Sequence, residues 1–245
     1  MTFGRQFVFP VNAIRIFLSI SIDPMLFLRN LSLYAMSVIK ENLKLDRFCR
    51  IRLDYSAEEC DIVNDGKHDQ LQVDIQKLDA MFTFYENTVS MIIPVLLIVF
   101  IASWRDQQGR RVPLCLSLIG SVLYAGIYFL EAFFPSWPPE VLLVASFLQS
   151  LGGGWVLFYM AAYSYIADCS SGQSRTLRLT LMSVVWQLGG PVGTALGAWL
   201  YDVSGYLAVF GLSFILYCIS LVYSAIIVKD NTDCGDESME PKERG

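Results

Sequence analysis

Long apolar runs separated by short polar connections dominate the pattern of this chain. Three runs, at 141–163, 179–201 and 206–228, are 23 residues long and contain no charged residue. Two further runs, at 81–104 and 112–134, contain one glutamate each. A helix needs about 20 apolar residues to cross the hydrocarbon core of a bilayer. The pattern therefore predicts five membrane-spanning helices.

A sixth apolar stretch, at 20–39, is less regular because Asp23 and Arg29 lie inside it. Its leucine and phenylalanine content still favours a span. An arm at 1–19 precedes this span, and a loop at 40–80 follows it. The later connections are short and make successive spans antiparallel neighbours. We therefore expect an all-α membrane protein with a bundle of six transmembrane helices.

Lysine and arginine concentrate on the side of the chain termini, where ten of them lie in four segments: 1–19, 105–111, 168–178 and 229–245. The two short turns on the other side carry none. Short cytoplasmic segments are enriched in basic residues. We therefore expect both termini in the cytoplasm and the 40–80 loop outside, in a multi-pass protein of the plasma membrane. The tail at 229–245 has six acidic residues, and we expect it to be disordered.

The net charge of −5 at pH 7 resides mainly in the outer loop and the tail, and the sequence has no basic face for nucleic acid. Of the six cysteines, only Cys49 and Cys60 fall in the outer loop. They could form a disulfide there, remain as two thiols, or pair with another chain. We expect neither a metal nor a cofactor.

A tight basic turn joins the runs at 81–104 and 112–134. It reads Trp-Arg-Asp-Gln-Gln-Gly-Arg-Arg over residues 104–111. One interpretation is that these basic residues simply flank two spans on the cytoplasmic side, as in many membrane proteins. The pattern also resembles the hallmark of the major facilitator superfamily between its second and third spans, Gly-x-x-x-Asp-x-x-Gly-Arg-Arg/Lys. Ala102 stands in place of the leading glycine.

A second basic loop narrows this resemblance. The fourth run ends in Tyr-Ile-Ala-Asp at 165–168, and Ser-Arg-Thr-Leu-Arg at 174–178 leads into the fifth. Together with the Asp23–Pro24 pair in the first span, these motifs resemble solute carrier family 46, the branch of the proton-coupled folate transporter and the thymic stromal cotransporter. The resemblance covers nearly the whole chain but only the N-terminal half of a twelve-span transporter. It implies a six-helix bundle equal to one half of a major facilitator fold.

The resemblance also implies a cytoplasmic gate, whose ion pairs form and break as two halves rock against each other. Its residues would be those of the two basic loops: Asp106, Gly109, Arg110, Arg111, Asp168, Arg175 and Arg178. The alternative is a pair of solvated loops with exposed ion pairs, each contributing at most about 1 kcal/mol.

The fifth span carries a glycine-rich motif that predicts close helix packing. Gly189, Gly193 and Gly197 recur every four residues and give the helix one flat face. Pro191, beside Gly190, removes one backbone hydrogen bond and favours a bend. The motif resembles the Gly-Pro motif of proton-coupled antiporters in the superfamily. Structural packing alone explains it equally well.

Polar residues at membrane depth are expected to line a solute pathway. The candidates are Arg29, Glu86, Asn87, Glu131, Gln149 and Gln187. Arg29 lies too deep in its run to reach the interface easily, so we expect it to face a cavity and to pair with an anion or a carboxylate. Glu86 and Glu131 lie near the ends of their runs and have the alternative of reaching the interface.

We therefore expect a transporter half that moves a small organic, anionic, folate-like solute by alternating access, with lipid and solute as partners. A single half cannot enclose a solute site, so we expect a fragment or short isoform, or pairing with a second half or a second copy. Ser183 stands where several relatives carry a glutamate, which leaves the coupling ion open. The alternative function is a non-transporting interaction or regulatory protein. No enzyme is expected, because His68 in the outer loop is the lone histidine and no catalytic motif occurs.

Overall fold

The computed structural model describes residues 22–56, 60, 69–108, 111–168 and 172–227. Its regular elements are α1 (Asp23–Arg47), a π-helical turn (Phe48–Arg52), α2 (Asp69–Gln108), α3 (Arg111–Phe133), α4 (Val141–Leu151), α5 (Gly154–Asp168) and α6 (Gly172–Ile227). All regular structure in these residues is helical, which confirms the predicted all-α class. The predicted arm at 1–19 and tail at 229–245 lie outside the described residues.

Four stretches of the described helices are long and apolar enough to cross a membrane: Leu71–Val99, Arg111–Phe133, Val141–Ala167 and Arg175–Ile226. The last stretch is 52 residues long. At about 1.5 Å per residue it would measure about 78 Å as one straight helix. Since the hydrocarbon core is about 30 Å thick, a straight helix of this length would extend far beyond it.

Gly205 divides α6 into two arms. Its φ of 72° and ψ of −167° interrupt the helical dihedrals, and glycine tolerates this conformation because it has no Cβ. Gly193, before the break, faces Leu31 on α1. Ser213, after the break, exchanges hydroxyl-to-carbonyl hydrogen bonds of 2.9 and 3.3 Å with Ser32. The two arms therefore lie at the same level of α1 and run in opposite directions.

The predicted outer loop at 40–80 needs correction, because both of its ends are helical. Helix α1 continues to Arg47, and α2 begins at Asp69. Leu71 and Ile75, one turn apart on α2, pack with Cys49 in a small buried cluster. This packing stabilises helix ends whose many charged residues are typical of a loop.

A glycine run interrupts the fourth predicted span and separates α4 from α5. Gly153 and Gly154 have φ values of 82° and 56°. At Gly152 the chain approaches α3 so closely that a Cβ would lie 2.9 Å from the carbonyl oxygen of Leu116. Ser117 donates a hydrogen bond of 2.6 Å to the Gly154 carbonyl. Because a broken helix within a membrane must satisfy its backbone groups internally, this hydroxyl stabilises the break.

Two apolar clusters surround α1, one near each end. The first contains Met25 and Leu26 with residues of α3 and α5, and the second contains Met36 and Leu43 with residues of α2, α3, α4 and α6. Between them α1 carries buried polar side chains, at Arg29, Asn30 and Ser32. The candidate functional site is built around this buried polar level of α1.

Candidate functional site

The first arm of α6 approaches α1 through the glycines that the sequence singled out. Gly189, Gly193 and Gly197 all face α1. A Cβ on Gly193 would lie 2.9 Å from the carbonyl oxygen of Leu31, and one on Gly197 would overlap the carbonyl group of Ala35. This close packing brings α6 against the polar level of α1.

Arg29 is a buried cation without a carboxylate partner among the described residues, and only 1% of it is exposed. Its guanidinium lies 4.0 Å from the ring centre of Phe158. Its Nη1 donates hydrogen bonds of 3.4 Å to the Tyr159 hydroxyl and 3.5 Å to Asn30 Oδ1. Arg29 Nε and Asn30 Nδ2 are buried donors with no acceptor in the described part of the chain. We call these four residues the Arg29 cluster.

Tyr159 connects the Arg29 cluster to two further aromatic side chains. Its hydroxyl donates a hydrogen bond of 2.7 Å to Asn30 Oδ1. Its ring stacks on Trp186 with centroids 4.4 Å apart. Trp186 Nε1 in turn donates a hydrogen bond of 3.0 Å to the hydroxyl of Tyr34. Helices α1, α5 and α6 therefore meet at one polar and aromatic site.

A groove with a volume of about 440 Å³ runs along α5 beside this site. Its lining is mainly apolar and aromatic: Trp155, Val156, Tyr159, Met160, Tyr163 and Ser164. Tyr159 belongs both to the groove and to the Arg29 cluster. An organic molecule with an anionic group fits this combination of an apolar surface and a nearby guanidinium.

A second set of buried charges lies toward the C-terminal end of α1. Lys44 is fully buried, pairs with Glu41, and lies 3.7 Å from Asp79 and 3.4 Å from Glu86. Lys40 lies 3.5 Å from Glu41 and 3.7 Å from Glu86. We call these five residues the Lys44 cluster. It joins α1 to α2 through charged contacts.

Arg47, one turn further on, pairs with Glu131 of α3. Its Nε lies 3.2 Å from Glu131 Oε1, and its Nη2 donates a hydrogen bond of 3.1 Å to the Glu131 carbonyl. Glu131 is fully buried and Glu86 is 7% exposed, so both predicted pathway glutamates lie inside the bundle. Two residues after Arg47, Cys49 is joined to Cys60 by a disulfide. This is one of the pairings that the sequence left open.

The predicted gate falls only partly within the described residues. Gly109 and Arg110 lie outside them. The backbones of Asp106 and Asp168 belong to the last turns of α2 and α5, whereas their side chains are outside the description. Arg111 is partly buried at the start of α3. No gate contact can therefore be assigned to these five positions.

The start of α6 carries the other two predicted gate residues. Arg175 is exposed and Arg178 is partly buried. The charge of Arg178 acts on the carboxylate of Asp23, which is fully buried in the first turn of α1. Asp23 was not among the predicted gate residues. This electrostatic interaction between α1 and α6 lies at the opposite end of α1 from Lys44.

Among the described residues, no hydrogen bond or ion pair links the remaining predicted residues to the Arg29 cluster. Asn87 of α2 and Gln187 of α6 are exposed, and Gln149 of α4 is partly buried. Gly190 is partly buried and Pro191 is exposed. Among the described residues of α6 only Gly205 departs from helical dihedrals, so α6 remains helical at this proline.

Sequence reasoning missed the roles of Lys44, Tyr159 and Trp186. Lys40, Lys44 and Arg47 follow one another at intervals of four and three residues, which is the spacing of one helix face. This signal was available in the sequence. The contact between Tyr159 and Trp186 joins two helices, and no local pattern predicts it.

Comparison with known families identifies the kind of protein to which these sites belong. A model of the Major Facilitator Superfamily matches residues 69–238, which is more than half of the chain. The chain belongs to this superfamily. A Major Facilitator Superfamily chain is a multi-pass membrane protein of a transporter class, so the predicted class of transporter rather than enzyme is confirmed.

Three relatives illustrate the similarity. The Gallus gallus protein named lysosomal proton-coupled steroid conjugate and bile acid symporter SLC46A3 is 28% identical over 141 residues, which cover 56% of this chain and 30% of the relative. The proton-coupled folate transporter of Bos taurus is 22% identical over 206 residues, or 83% of this chain and 44% of the relative. The probable peptidoglycan muropeptide transporter SLC46 of Drosophila melanogaster is 24% identical over 210 residues, or 80% of this chain and 39% of the relative.

These matches confirm the predicted resemblance to solute carrier family 46. The chain spans less than half the length of each of these three relatives. Membrane solute transport is the function that the names of these three relatives share.

Proposed function

We propose that this chain forms one half of a Major Facilitator Superfamily transporter that moves a small organic anion across a membrane by alternating access. The observation that carries the proposal is Arg29, a guanidinium with 1% exposure and no carboxylate partner among the described residues. The anion would bind beside Arg29, with its organic body in the groove along α5.

The energetics of burial support an anionic ligand. A charge moved out of water into a low-dielectric interior is unfavourable by several kcal/mol unless an opposite charge compensates it. The ring faces of Phe158 and Tyr159 offset part of this cost through cation–π contacts at 4.0 and 5.2 Å. The unpaired donors Arg29 Nε and Asn30 Nδ2 would bind the oxygens of a carboxylate or sulfonate.

The six-span architecture is part of the proposal. Helix α1 would be the first span, with the charges of Arg29, Lys44 and Arg47 buried by its neighbours instead of facing lipid. The two arms of α6 would be the fifth and sixth spans. One such bundle covers only one side of a solute site, so a second half or a second copy would complete it.

The gate remains a proposal as well. Asp106, Arg110 and Asp168 would act with the start of α6 at the cytoplasmic side. The charge of Arg178 acts on buried Asp23, and this electrostatic interaction between α1 and α6 supports a gate at this end. Both termini would be cytoplasmic, and the disulfide Cys49–Cys60 would face the outside of the cell or the lumen of an organelle.

The names of the relatives support both the solute class and the coupling ion. Folate, bile acids and steroid conjugates appear in those names, together with the words proton-coupled. Folate and bile acids carry carboxylates that a guanidinium binds well. The plasma membrane is our proposed location, although the SLC46A3 relatives are named as lysosomal.

Uptake into sealed vesicles tests the proposal. Vesicles from cells that express the protein would take up labelled folic acid or taurocholate, and an acidic outside would accelerate the uptake. Tetraethylammonium, an organic cation, serves as the matched control and is not taken up. Equal uptake of the cation, or anion uptake no faster than in vesicles without the protein, would reject a transporter of organic anions.

A further inference from the structure

A second pocket, with a volume of about 610 Å³, lies beside the disulfide. This volume falls within the range of about 300–1,000 Å³ that is typical of small-molecule sites. Asp46, which lines the pocket, lies on the same helix as Arg29 and about 25 Å further along its axis, at about 1.5 Å per residue. The pocket is therefore separate from the Arg29 cluster and from the groove along α5. We call it the disulfide pocket.

Several elements share the walls of the disulfide pocket. Residues near the ends of α1 and α3, the first turns of α2, the π-helical turn and both arms of α6 line it. Cys49 and Cys60 line it as well, so a covalent bond forms part of one wall. Short π-helical segments occur frequently at functional sites. The walls belong to packed helices and a cross-link, which is the arrangement expected of a preformed binding site.

The charged groups of the disulfide pocket have partners of opposite sign. Arg47 Nε lies 3.2 Å from the carboxylate of Glu131, and Arg47 Nη1 lies 3.6 Å from that of Asp46. Asp46 also pairs with Arg50. In the Arg29 cluster, by contrast, no carboxylate contacts the guanidinium among the described residues. An ionic ligand would have to compete with the pairs of the disulfide pocket, so its charges favour a neutral ligand that forms hydrogen bonds.

Side-chain amides supply further hydrogen-bonding groups. Asn42, Gln72 and Gln76 line the disulfide pocket. Asn42 and Gln76 are exposed and Gln72 is partly buried, so a ligand can reach all three. Each amide offers two donor hydrogens and one acceptor oxygen, and the carboxylate of Asp46 has acceptor sites for more than two partners. A ligand whose groups both donate and accept hydrogen bonds matches this lining.

Two tyrosines give the disulfide pocket an aromatic surface. Tyr201 and Tyr206 lie on either side of Gly205, and their ring centroids are 4.8 Å apart. Both residues are only partly buried. A tyrosine ring combines an apolar face with a polar hydroxyl. A cyclic saccharide has the complementary surface, because one face of its ring presents C–H groups and its edge carries hydroxyl groups that both donate and accept hydrogen bonds.

We propose that the disulfide pocket binds a neutral mono- or disaccharide. One face of a sugar ring packs on the tyrosine rings, and its hydroxyl groups bind the amides of α1 and α2 and the carboxylate of Asp46. Because disulfides form in oxidising compartments, the saccharide comes from outside the cell or from the lumen of an organelle. This binding does not depend on the transport of an organic anion at the Arg29 cluster.

Saturation-transfer difference NMR tests the proposal on the full chain. The protein is placed in phospholipid nanodiscs, because a maltoside detergent would present a sugar of its own. Maltose, lactose and mannobiose are the probes, and sorbitol, a neutral polyol without a ring, is the matched control. At least one disaccharide is expected to receive saturation at its ring protons and to bind saturably, whereas sorbitol receives none.

Substitutions in two walls of the pocket locate the binding. The double variant Gln72→Ala and Gln76→Ala removes two amides and is expected to raise Kd about tenfold, the effect of losing two hydrogen bonds. Tyr206→Leu removes the ring face and weakens binding, whereas Tyr206→Phe retains most of it. Asp74→Asn changes an exposed carboxylate of α2 that does not line the pocket, and it binds like the wild type.

The same experiment defines the results that would overturn the proposal. No saturation transfer to any of the three disaccharides, or an equal signal from sorbitol, rejects a saccharide site. An unchanged Kd in the double glutamine variant rejects the location. Displacement of the disaccharide by excess folic acid places it in the anion site and rejects a separate pocket. Because saccharide binding is measured without transport, failure of anion uptake leaves the result standing.

Discussion

Helix α1 buries cationic side chains at two levels, and the two levels accommodate them differently. Toward its C-terminal end, Lys44 and Arg47 contact carboxylates of α2 and α3. Near its N-terminal end, Arg29 contacts only amide, hydroxyl and aromatic groups among the described residues. Paired cations join helices together. A buried cation without a counter-charge is by default a functional-site hypothesis, and we propose that Arg29 holds its charge for a ligand.

The Arg47–Glu131 pair is expected to show the largest effect on stability. Glu131→Gln removes the fully buried partner of Arg47 and leaves Asp46, 3.6 Å away, as its nearest carboxylate among the described residues. Breaking a buried ion pair typically costs about 3–5 kcal/mol. The free energy of unfolding in detergent, measured by denaturant titration, would fall by that amount. Glu140→Gln is the control, because its pair with Arg52 is exposed and such pairs contribute at most about 1 kcal/mol. Equal losses in both variants would contradict a structural role for the buried pair.

A double variant sharpens this result. Arg47→Met combined with Glu131→Leu removes both charges and leaves apolar side chains of similar size. Replacement of a whole buried pair is often neutral or stabilising. We expect most of the stability lost in Glu131→Gln to return. Failure to recover would mean that the charges themselves specify the fold at this end of α1.

Tyr159→Phe is expected to have a smaller effect at the other level. The variant keeps the stacking on Trp186 but removes the hydroxyl that contacts Asn30 and Arg29. Hydrogen bonds between membrane helices contribute about 0.6 kcal/mol on average and about 1.7 kcal/mol at most. The unfolding free energy should fall within that range. A loss as large as that of Glu131→Gln would show that the Arg29 cluster is structural.

Some of the features that distinguish the two levels of α1 could be predicted from the sequence, and others could not. Apolar runs and a glycine at every fourth position are local signals. The sequence therefore predicts the membrane class and the packing face formed by Gly189, Gly193 and Gly197. The sequence predicts Arg29 as a candidate site residue because a charge deep in an apolar run is unusual. The helical ends of the predicted 40–80 loop were missed because their charged residues read as solvated.

The missing information lies between helices. Glu86 contacts Lys44 only because α1 and α2 pack against each other in one particular register. Tyr159 likewise contacts Trp186 only because α5 and α6 pack in one particular register. Hydropathy measures each segment against lipid and water, and it contains no information about which side chains face each other. Charged residues in a membrane protein therefore have to be judged by their partners, which the sequence alone does not supply.

The equilibrium binding of an organic anion to Arg29 variants tests the central claim most directly. Labelled taurocholate would be titrated onto the purified wild type, Arg29→Gln and Arg52→Gln, the last of which removes an exposed arginine. Arg29→Gln is predicted to raise Kd at least about tenfold, a change of about 1.4 kcal/mol, without lowering the unfolding free energy. Arg52→Gln should bind like the wild type. Unchanged affinity in Arg29→Gln, or a loss of stability comparable to that of Glu131→Gln, would contradict the assignment of Arg29 to an anion site.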